Sequence, residues 1–368
     1  MRRSVAACVA LTMMTAGCSG SSARHATALS PTPSPATAAA AARFLDRYVT
    51  ADGRVIRHDQ GGDVVSEGQA YGMLIAEIAG RPALVRTIWG WTAQHLQRDD
   101  GLFAFHATSA GRVLDSQSAT DADVLVSYAL LRYRGAGAEQ LNRTGRDVAN
   151  AVLDVESVSV ADAPVLVAGP WAKTSQPPVV NPSYWMPSVL AAIGRYTSVN
   201  RWSDAANEAT RLLAALTRNG TTLPPDWANL APGRLVATGA PDGSAPVQYG
   251  LDAARLPLWY AAGCGASEQD LAAAWWTHAL SRDHRSSYLA LALTGSVING
   301  ATNPVPLLAG SAAALAAGDE RASAALRRQA AEQSHGVPTY YGDAWVALAG
   351  ALADGSLASC SEGGQPDA

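Results

Sequence analysis

The chain has 368 residues, of which 48% are hydrophobic, and its formal net charge is −4. This balance argues against binding of nucleic acid, because neutralising phosphates requires clustered Lys and Arg side chains. Lys173 is the single lysine, which removes the P-loop motif and leaves little scope for Schiff-base chemistry.

The first residues have the pattern of an export signal. Arg2 and Arg3 precede an apolar stretch over 5–14 that is too short to span a bilayer. The small residues that follow lead to Cys18 in "TAGC", which resembles a bacterial lipobox, the motif whose cysteine is lipidated after cleavage. We predict a signal peptide over 1–17, followed by either a membrane-anchored lipoprotein or a soluble secreted protein cut near the same place.

Residues 18–38 are rich in Ser, Thr, Pro and Ala and carry almost no charge. Such a segment has too little apolar material to offset the entropy of ordering, so we predict a tether whose last alanines already belong to the first helix. The folded domain is expected over 39–355, with a C-terminal tail over 356–368.

Two cysteines remain in the exported chain besides Cys18. In an oxidising compartment Cys264 and Cys360 are expected to form one disulfide, which would join the tail to the domain. Two unpaired buried thiols are the alternative. Neither cysteine has neighbours at metal-ligand spacing, and the seven histidines show no such spacing either, so no metal site is predicted.

Helical periodicity recurs through the domain, and only 157–169 alternates like a β-hairpin. About a dozen helices cannot form a small bundle, so a solenoid and a closed ring of helix pairs are the options. No fixed period of about 30–45 residues is visible, which favours the ring. Its inner helices would run parallel and place their N-termini on one face. The predicted helices are 36–50, 67–79, 82–97, 119–133, 137–153, 183–197, 203–217, 251–262, 267–280, 305–317, 320–333 and 341–353.

Three acidic positions open apolar helices. Glu67 lies in "SEGQAYG", Asp121 in "SATDAD" together with Asp123, and Asp252 in "YGLDAARLPLW". If these helices belong to the inner ring, the carboxylates converge at one mouth. Two carboxylates across a cleft are the groups that glycoside hydrolysis requires, one to protonate the leaving oxygen and one to activate water or attack.

Each acid also has a simpler explanation as a helix cap. Ser66 and Gln69 fit a capping box around Glu67, and an acid in the first turn complements the helix dipole by about 0.3–1 kcal/mol. Capping does not explain Gly68 and Gly72, which each lower helix propensity by about 1 kcal/mol. Glycines on this face indicate that another group approaches closely.

The aromatic residues favour a sugar-binding cleft. The chain has ten Trp and eleven Tyr but only three Phe, and Trp and Tyr combine a flat face with a polar group. The motif "NPSYW" would place Tyr184 and Trp185 at the mouth. Other tryptophans are expected in the core: Trp89, Trp91, Trp275 and Trp276.

These motifs resemble glycoside hydrolase family 8, the endoglucanases with an (α/α)6 barrel. "SEGQAYGMLIA" is similar to the acid motif of the family, and "SATDADVLVSYALL" to its A-[ST]-D-[AG]-D signature. "NPSYWMPS", "LPPDW", "LDAARLPLW" and "YYGDAWVAL" follow in the expected order, so the resemblance covers about 40–353. It is strongest to the compact periplasmic cellulases linked to bacterial cellulose synthesis. The fold class is thus predicted as all-α, an (α/α)6 barrel with a small β-hairpin excursion.

The resemblance implies a role for each matching residue. Glu67 would be the general acid and Asp252 the general base that activates water. Asp121 would bind and distort the sugar, Arg255 would orient the base, and Tyr184 would line the cleft. The family inverts anomeric configuration, and the reaction implies no metal and no cofactor.

The implied substrate is a cellulose-type β-glucan, cut by an exported, monomeric enzyme whose only membrane contact is a lipid on Cys18. The stretch 99–117 lacks the tryptophans often found there in the family, so a sugar subsite, and with it the preferred chain length, is expected to differ. Chitosan, xylan and mixed-linkage glucan therefore stay open as substrates. A non-catalytic polysaccharide-binding lipoprotein is the alternative from another class.

Overall fold

Helices dominate the structure, a computed structural model that describes residues 31–358 and 360. They alternate along the chain between helices buried on nearly all sides and helices buried along one face. The helices of this part of the chain are α1 Pro35–Tyr48, α2 Ser66–Ile78, α3 Pro82–His95, α4 Thr120–Arg132, α5 Ala138–Val155, α6 Pro170–Lys173, α7 Pro187–Thr197, α8 Arg201–Leu216, α9 Leu256–Ala261, α10 Ala266–Trp275, α11 Pro304–Ala316, α12 Glu320–Gly336 and α13 Tyr340–Ala353.

Six helices form a closed inner ring. In α4 every residue except Arg132 is buried, which requires protein on all sides of the helix. By contrast, α5 buries a single stripe that runs from Leu141 to Leu153. The helices α2, α4, α7, α9, α11 and α13 contact one another in this order, and α13 returns to contact α2. The other long helices lie outside this ring, which confirms the predicted (α/α)6 barrel.

The observed helices match the twelve predicted ones to within a few residues at most ends. The stretch 183–197 becomes α helix only at Pro187, because a separate 3₁₀ turn covers Pro182–Tyr184. The stretch 251–262 likewise begins with a 3₁₀ turn, Ala253–Arg255, before α9. The short α6 was not predicted.

The predicted hairpin is confirmed, and three further small sheets accompany it. The hairpin pairs Ser157–Val160 with Ala163–Leu166 in antiparallel register. The strands of the described residues are β1 Val64–Val65, β2 His106–Ala107, β3 Val113–Asp115, β4 Ser157–Val160, β5 Ala163–Leu166, β6 Val179–Val180, β7 Trp227–Ala231, β8 Arg234–Thr238, β9 Tyr288–Leu291 and β10 Val297–Thr302. They form the sheets β1-β2-β3, β4-β5, β6-β7-β8 and β9-β10. Four of the strands that were not predicted, β1, β2, β3 and β6, have only two or three residues, which is too short for sequence alternation to reveal them.

A disulfide joins the end of the chain to the barrel. Cys264, in the turn between α9 and α10, is bonded to Cys360, with 5.5 Å between the two Cα atoms. The two cysteines are 96 positions apart in the sequence, so the disulfide closes a long loop of the chain. At the other end α1 begins at Pro35, within the segment predicted as a tether.

Several predictions lie outside the described residues. These are the signal peptide over 1–17, the lipidation site Cys18 and the first part of the tether. Within residues 31–358 and 360, no helix combines the length and the apolar character that crossing a membrane would require.

Candidate active site

One guanidinium group holds the three predicted carboxylates together. Arg255 ends the 3₁₀ turn before α9, and its side chain is 4% exposed. Its Nη1 donates to Glu67 Oε1 at 2.7 Å and to Asp121 Oδ2 at 3.0 Å. Its Nη2 donates to Asp252 Oδ1 at 3.0 Å. Three acids from distant parts of the chain thus meet at one end of the barrel.

The same contacts limit the distance between Glu67 and Asp252. The two Nη atoms of a planar guanidinium lie about 2.3 Å apart, so Glu67 Oε1 and Asp252 Oδ1 are at most about 8 Å apart. This upper limit permits the spacing of about 6.5–9.5 Å that leaves room for a water between the acid and base of an inverting glycosidase.

Four polar side chains complete the site. The Tyr71 hydroxyl donates to Glu67 Oε1 at 2.7 Å. The Asn181 amide donates to Asp252 Oδ2 at 2.9 Å, and Arg255 Nη2 donates to Ser183 Oγ at 2.6 Å. The guanidinium carbon of Arg255 lies 5.5 Å from the centre of the Tyr184 ring. Tyr184 was predicted at this place, whereas Tyr71, Asn181 and Ser183 were not singled out.

Signals for the missed residues exist in the sequence. Tyr71 follows Glu67 by four positions on α2, and residues at that spacing share a helix face. Asn181 and Ser183 stand in the same "NPSYW" motif as Tyr184, in the turn that caps itself through the bond from Ser183 N to Asn181 Oδ1 at 3.1 Å.

The three carboxylates differ in their access to solvent. The Asp121 side chain is 6% exposed, that of Glu67 is 17% exposed and that of Asp252 is 35% exposed. Burial raises the pKa of Asp121 to about 7 against the charge of Arg255, and the charges of Glu67 and Asp252 add to this rise. Burial also raises the pKa of Tyr71 well above its usual value, so this phenol stays protonated and donates to Glu67.

Two further acids, Asp123 and Glu156, lie buried near Asp121. The Asp123 Oδ1 atom accepts from Phe103 N at 3.0 Å, and Glu156 Oε1 accepts from the Ser118 hydroxyl at 2.6 Å. Burial raises the pKa of Asp123 well above its usual value, and the charge of Glu156 adds to it. Burial likewise raises the pKa of Glu156 to about 7. Among the described residues, no group of three or more His, Cys, Asp or Glu is arranged to hold a metal ion.

The structure shows that the capping box around Glu67 is wrong. The Ser66 amide donates to Phe105 O at 2.9 Å as an extension of strand β1, so the helix begins at Ser66 itself, with no side-chain cap. Gln69 does not reach back either, because it accepts from Val55 N at 2.7 Å and donates to Thr92 Oγ1 at 2.9 Å. Asp123 also leaves its helix N-terminus uncapped and bonds to Phe103 instead.

The two glycines of α2 make room for protein side chains. A Cβ atom on Gly68 would lie 2.7 Å from the Tyr340 hydroxyl, and one on Gly72 would lie 2.6 Å from Val55 Cγ2. The expected close approach is therefore found, and the approaching groups belong to the barrel.

The tryptophan predictions have mixed outcomes. Trp185 is fully buried and donates to Leu166 O at 3.0 Å, so the prediction that it stands at the mouth is wrong. Trp91 and Trp275 are buried in the core as predicted, and Trp89 and Trp276 pack against it. At the cleft itself, Trp227 is half-buried, with its ring centre 6.5 Å from that of Tyr184.

Comparison of the sequence with known proteins gives a family match over nearly the whole chain. The family described as "Glycosyl hydrolases family 8" matches residues 11–355. A probable endoglucanase of Novacetimonas hansenii is 33% identical over 230 residues, which are 59% of this chain and 64% of that protein. The aligned part thus spans less than two thirds of the length of that relative.

Solved structures match the barrel over most of its length. The endo-beta-1,4-glucanase CMCax of Acetobacter xylinum superposes with a TM-score of 0.71 and is 25% identical, covering 87% of this chain and 98% of that one. A beta-1,3-1,4-glucanase of Paenibacillus sp. X4 superposes with a TM-score of 0.76 and is 20% identical, covering 90% of this chain and 96% of that one. At that lower identity the second likeness concerns the fold alone.

Proposed function

The chain belongs to glycosyl hydrolases family 8, and on that premise we propose that it is an inverting endo-β-1,4-glucanase. In this proposal Glu67 is the general acid and Asp252 is the general base. Asp121 binds the sugar at the cleavage point, Arg255 orients the carboxylates, and Tyr184 lines the cleft. The observation that carries the proposal is the single guanidinium that contacts all three acids.

The contacts of Glu67 leave one of its two oxygens available for a proton. Among the described residues, the hydrogen bonds to Glu67 come from Tyr71 and Arg255, and both fall on Oε1. Oε2 is therefore the oxygen that can carry the proton toward a glycosidic oxygen. A general acid must lie within hydrogen-bond reach of the atom that it protonates, and Oε2 is the oxygen proposed to fulfil this requirement.

The contacts of Asp252 suit a base. Its Oδ1 accepts from Arg255 and its Oδ2 accepts from Asn181, so both oxygens have partners that stabilise the ionised carboxylate. Its side chain is also the most exposed of the three acids, which gives water access to it. A carboxylate with fixed orientation and access to solvent can align one water for attack.

The proposed reaction is a single displacement. Asp252 accepts a proton from water as the water oxygen bonds to the anomeric carbon. The bond from that carbon to the glycosidic oxygen breaks, and this oxygen receives the proton from Glu67. After product release the proton on Asp252 passes through water to Glu67, which restores the starting state. The anomeric carbon is inverted because water attacks from the face opposite the leaving group.

The proposed substrate is a cellulose-type β-glucan. The half-buried rings of Trp227 and Tyr184 offer flat faces beside the acids, as stacking against sugars requires. A cleft of about 660 Å³ is lined by Trp227, Asp252 and Asn299, among others. The relative of 33% identity is named a probable endoglucanase, and the solved structure of 25% identity is an endo-beta-1,4-glucanase, which supports the choice of a β-1,4-glucan over chitosan and xylan.

The direct test is reducing-sugar release from soluble carboxymethylcellulose. We expect the wild type to be active and Glu67→Gln and Asp252→Asn to lose about 10²–10⁴-fold in turnover without loss of folding. Glu139→Gln, on the exposed part of α5, is the matched control and should retain full activity. Equal inertness of wild type and Glu67→Gln on carboxymethylcellulose, mixed-linkage glucan, xylan and chitosan would instead establish a non-catalytic binding protein.

Export and anchoring complete the proposal. The signal over 1–17 would direct the folded domain over 39–355 out of the cell, as a monomer held at the membrane only by a lipid on Cys18 or released as a soluble protein. The Cys264–Cys360 disulfide suits an oxidising compartment. Detergent-phase partitioning of the wild type and Cys18→Ala distinguishes the two forms, since only a lipidated protein changes phase on this substitution.

A further inference from the structure

A buried carboxylate outside the three-acid cluster, that of Asp226, is hydrogen-bonded to the segment that carries Asp252. Asp226 Oδ1 accepts from Gly250 N and from Ala253 N, both at 2.9 Å. Its Oδ2 accepts from Gln248 Nε2 at 3.0 Å, and its own amide donates to Gln248 O at 2.9 Å. Asp226 is 7% exposed and lies just before strand β7. Four hydrogen bonds therefore join one residue to the segment 248–253.

These hydrogen bonds matter for the position of Asp252 because this residue lies outside a regular helix. It precedes the 3₁₀ turn Ala253–Arg255 and has no side-chain cap of its own. The first amides of a helical turn have no acceptor within the turn, and Asp226 supplies one to Ala253. The two amides that it binds flank Asp252 on both sides along the chain.

The fit around Asp226 is close. A Cβ atom on Gly250 would lie 2.4 Å from Asp226 Oδ2, so only glycine lets the backbone come this near to the carboxylate. Burial raises the pKa of Asp226 to about 6, and the charge of Asp252 adds to this rise.

We infer that Asp226 is a positioning residue that fixes the backbone on both sides of Asp252 and so sets the place of the base relative to the attacking water. This inference rests on the role of Asp252 proposed above. A displacement of about 1 Å in a reacting group can cost about 10²-fold in rate. The consequence should fall on kcat, because the four hydrogen bonds of Asp226 go to residues 248–253 and none goes to the rings of Trp227 and Tyr184.

Two substitutions of Asp226 separate the effect of its hydrogen bonds from the effect of its charge. Asp226→Ala removes both acceptor oxygens. Asp226→Asn keeps Oδ1 as an acceptor for Gly250 and Ala253, and the Gln248 amide can turn its oxygen toward the new NH₂ group. We expect Asp226→Ala to lower kcat on carboxymethylcellulose about 10²-fold with KM changed less than about threefold, and Asp226→Asn to recover at least tenfold of that loss.

A second variant covers the case in which Asp226→Ala does not fold. Gly250→Ala places a methyl group against Asp226 Oδ2, and we expect it to lower kcat in the same way while circular dichroism shows a folded barrel. A folded Asp226→Ala or Gly250→Ala with wild-type kcat overturns the inference. An Asp226→Asn variant that is as inactive as Asp226→Ala also overturns the inference, because the charge of Asp226 and not its hydrogen bonds would then be responsible for the loss of activity.

Asp252→Asn, assayed in parallel, separates this inference from the proposed function. If Asp252→Asn keeps its activity, the assignment of the base fails and the inference falls with it. If Asp252→Asn is inactive while folded Asp226→Ala is fully active, the base assignment stands and the positioning role alone is refuted.

Discussion

Removal of the Arg255 guanidinium should destabilise the barrel in a way that depends on pH. Arg255→Met keeps a long apolar side chain but leaves Glu67, Asp121 and Asp252 without their shared cation. Breaking a buried ion pair by removing one partner costs about 3–5 kcal/mol, because the remaining charge stays buried. We therefore expect a loss of this size in the free energy of unfolding at pH 8.

The magnitude comes chiefly from Asp121. Its side chain and that of Arg255 are 6% and 4% exposed, whereas the Asp252 side chain is 35% exposed, so solvent screens the Asp252 pair. Burial raises the pKa of Asp121 to about 7 with Arg255 in place, and loss of that cation raises it further. At pH 8 the wild-type carboxyl is ionised, so the variant loses the ion pair and must either bury the charge or bind a proton, whereas at pH 5 the carboxyl is protonated in both proteins. At pH 5 the variant loses hydrogen bonds but strands no Asp121 charge, and the expected cost falls to about 1–3 kcal/mol.

Urea unfolding followed by circular dichroism at pH 5 and pH 8 measures both values. Arg143→Met is the control, because Arg143 pairs with exposed Glu139 on the surface of α5 and should contribute less than about 0.5 kcal/mol at either pH. An Arg255→Met loss below 1 kcal/mol at pH 8, or the same loss at both pH values, would refute this reasoning.

The remaining predictions concern a hydroxyl, a disulfide and a buried acid. Tyr71→Phe removes the second donor to Glu67 and should lower kcat on carboxymethylcellulose about tenfold, and an unchanged pH–rate profile and kcat would contradict it. Reduction of the Cys264–Cys360 disulfide, which closes a loop of 96 residues in sequence separation, should lower the free energy of unfolding by about 2–5 kcal/mol, and a melting temperature unaffected by dithiothreitol would count against it. The pKa of Glu156 is raised to about 7 from 4.5, chiefly by burial, so between pH 4.5 and 7 this carboxyl ionises in the unfolded chain but stays protonated in the fold, and the difference costs stability as pH rises. Glu156→Gln removes this cost, and its free energy of unfolding should fall less than that of the wild type between pH 5 and 8, whereas equal slopes in urea titrations would show that the acid is not responsible.

Much of the architecture follows from periodicity alone. The apolar spacing of 3.6 residues marks helices such as α4 and α5, whose packing in the ring then decides which face is buried. The convergence of Glu67, Asp121 and Asp252 was also predictable, because parallel inner helices place their N-termini on one face of the barrel.

Local motif rules failed where tertiary contacts compete with them. Ser66 and Gln69 match a capping box, yet the Ser66 amide is used by a strand contact and the Gln69 amide fixes the turn near Val55. The burial of Trp185 and the hydrogen bonds of Asp226 to the Asp252 segment depend on elements that are remote in sequence. Such contacts produce no periodic pattern in the sequence, so they could be identified only from the structure.

The anomeric configuration of the first product tests the central claim most directly. Glu67 and Asp252 acting across one groove should release the α-anomer from a β-1,4-linked cello-oligosaccharide, because one displacement by water inverts the anomeric carbon. Proton NMR in the first minutes, before mutarotation, distinguishes the two anomers. Initial release of the α-anomer is the predicted result, and initial release of the β-anomer would contradict the assignment of Asp252 as a base that activates water.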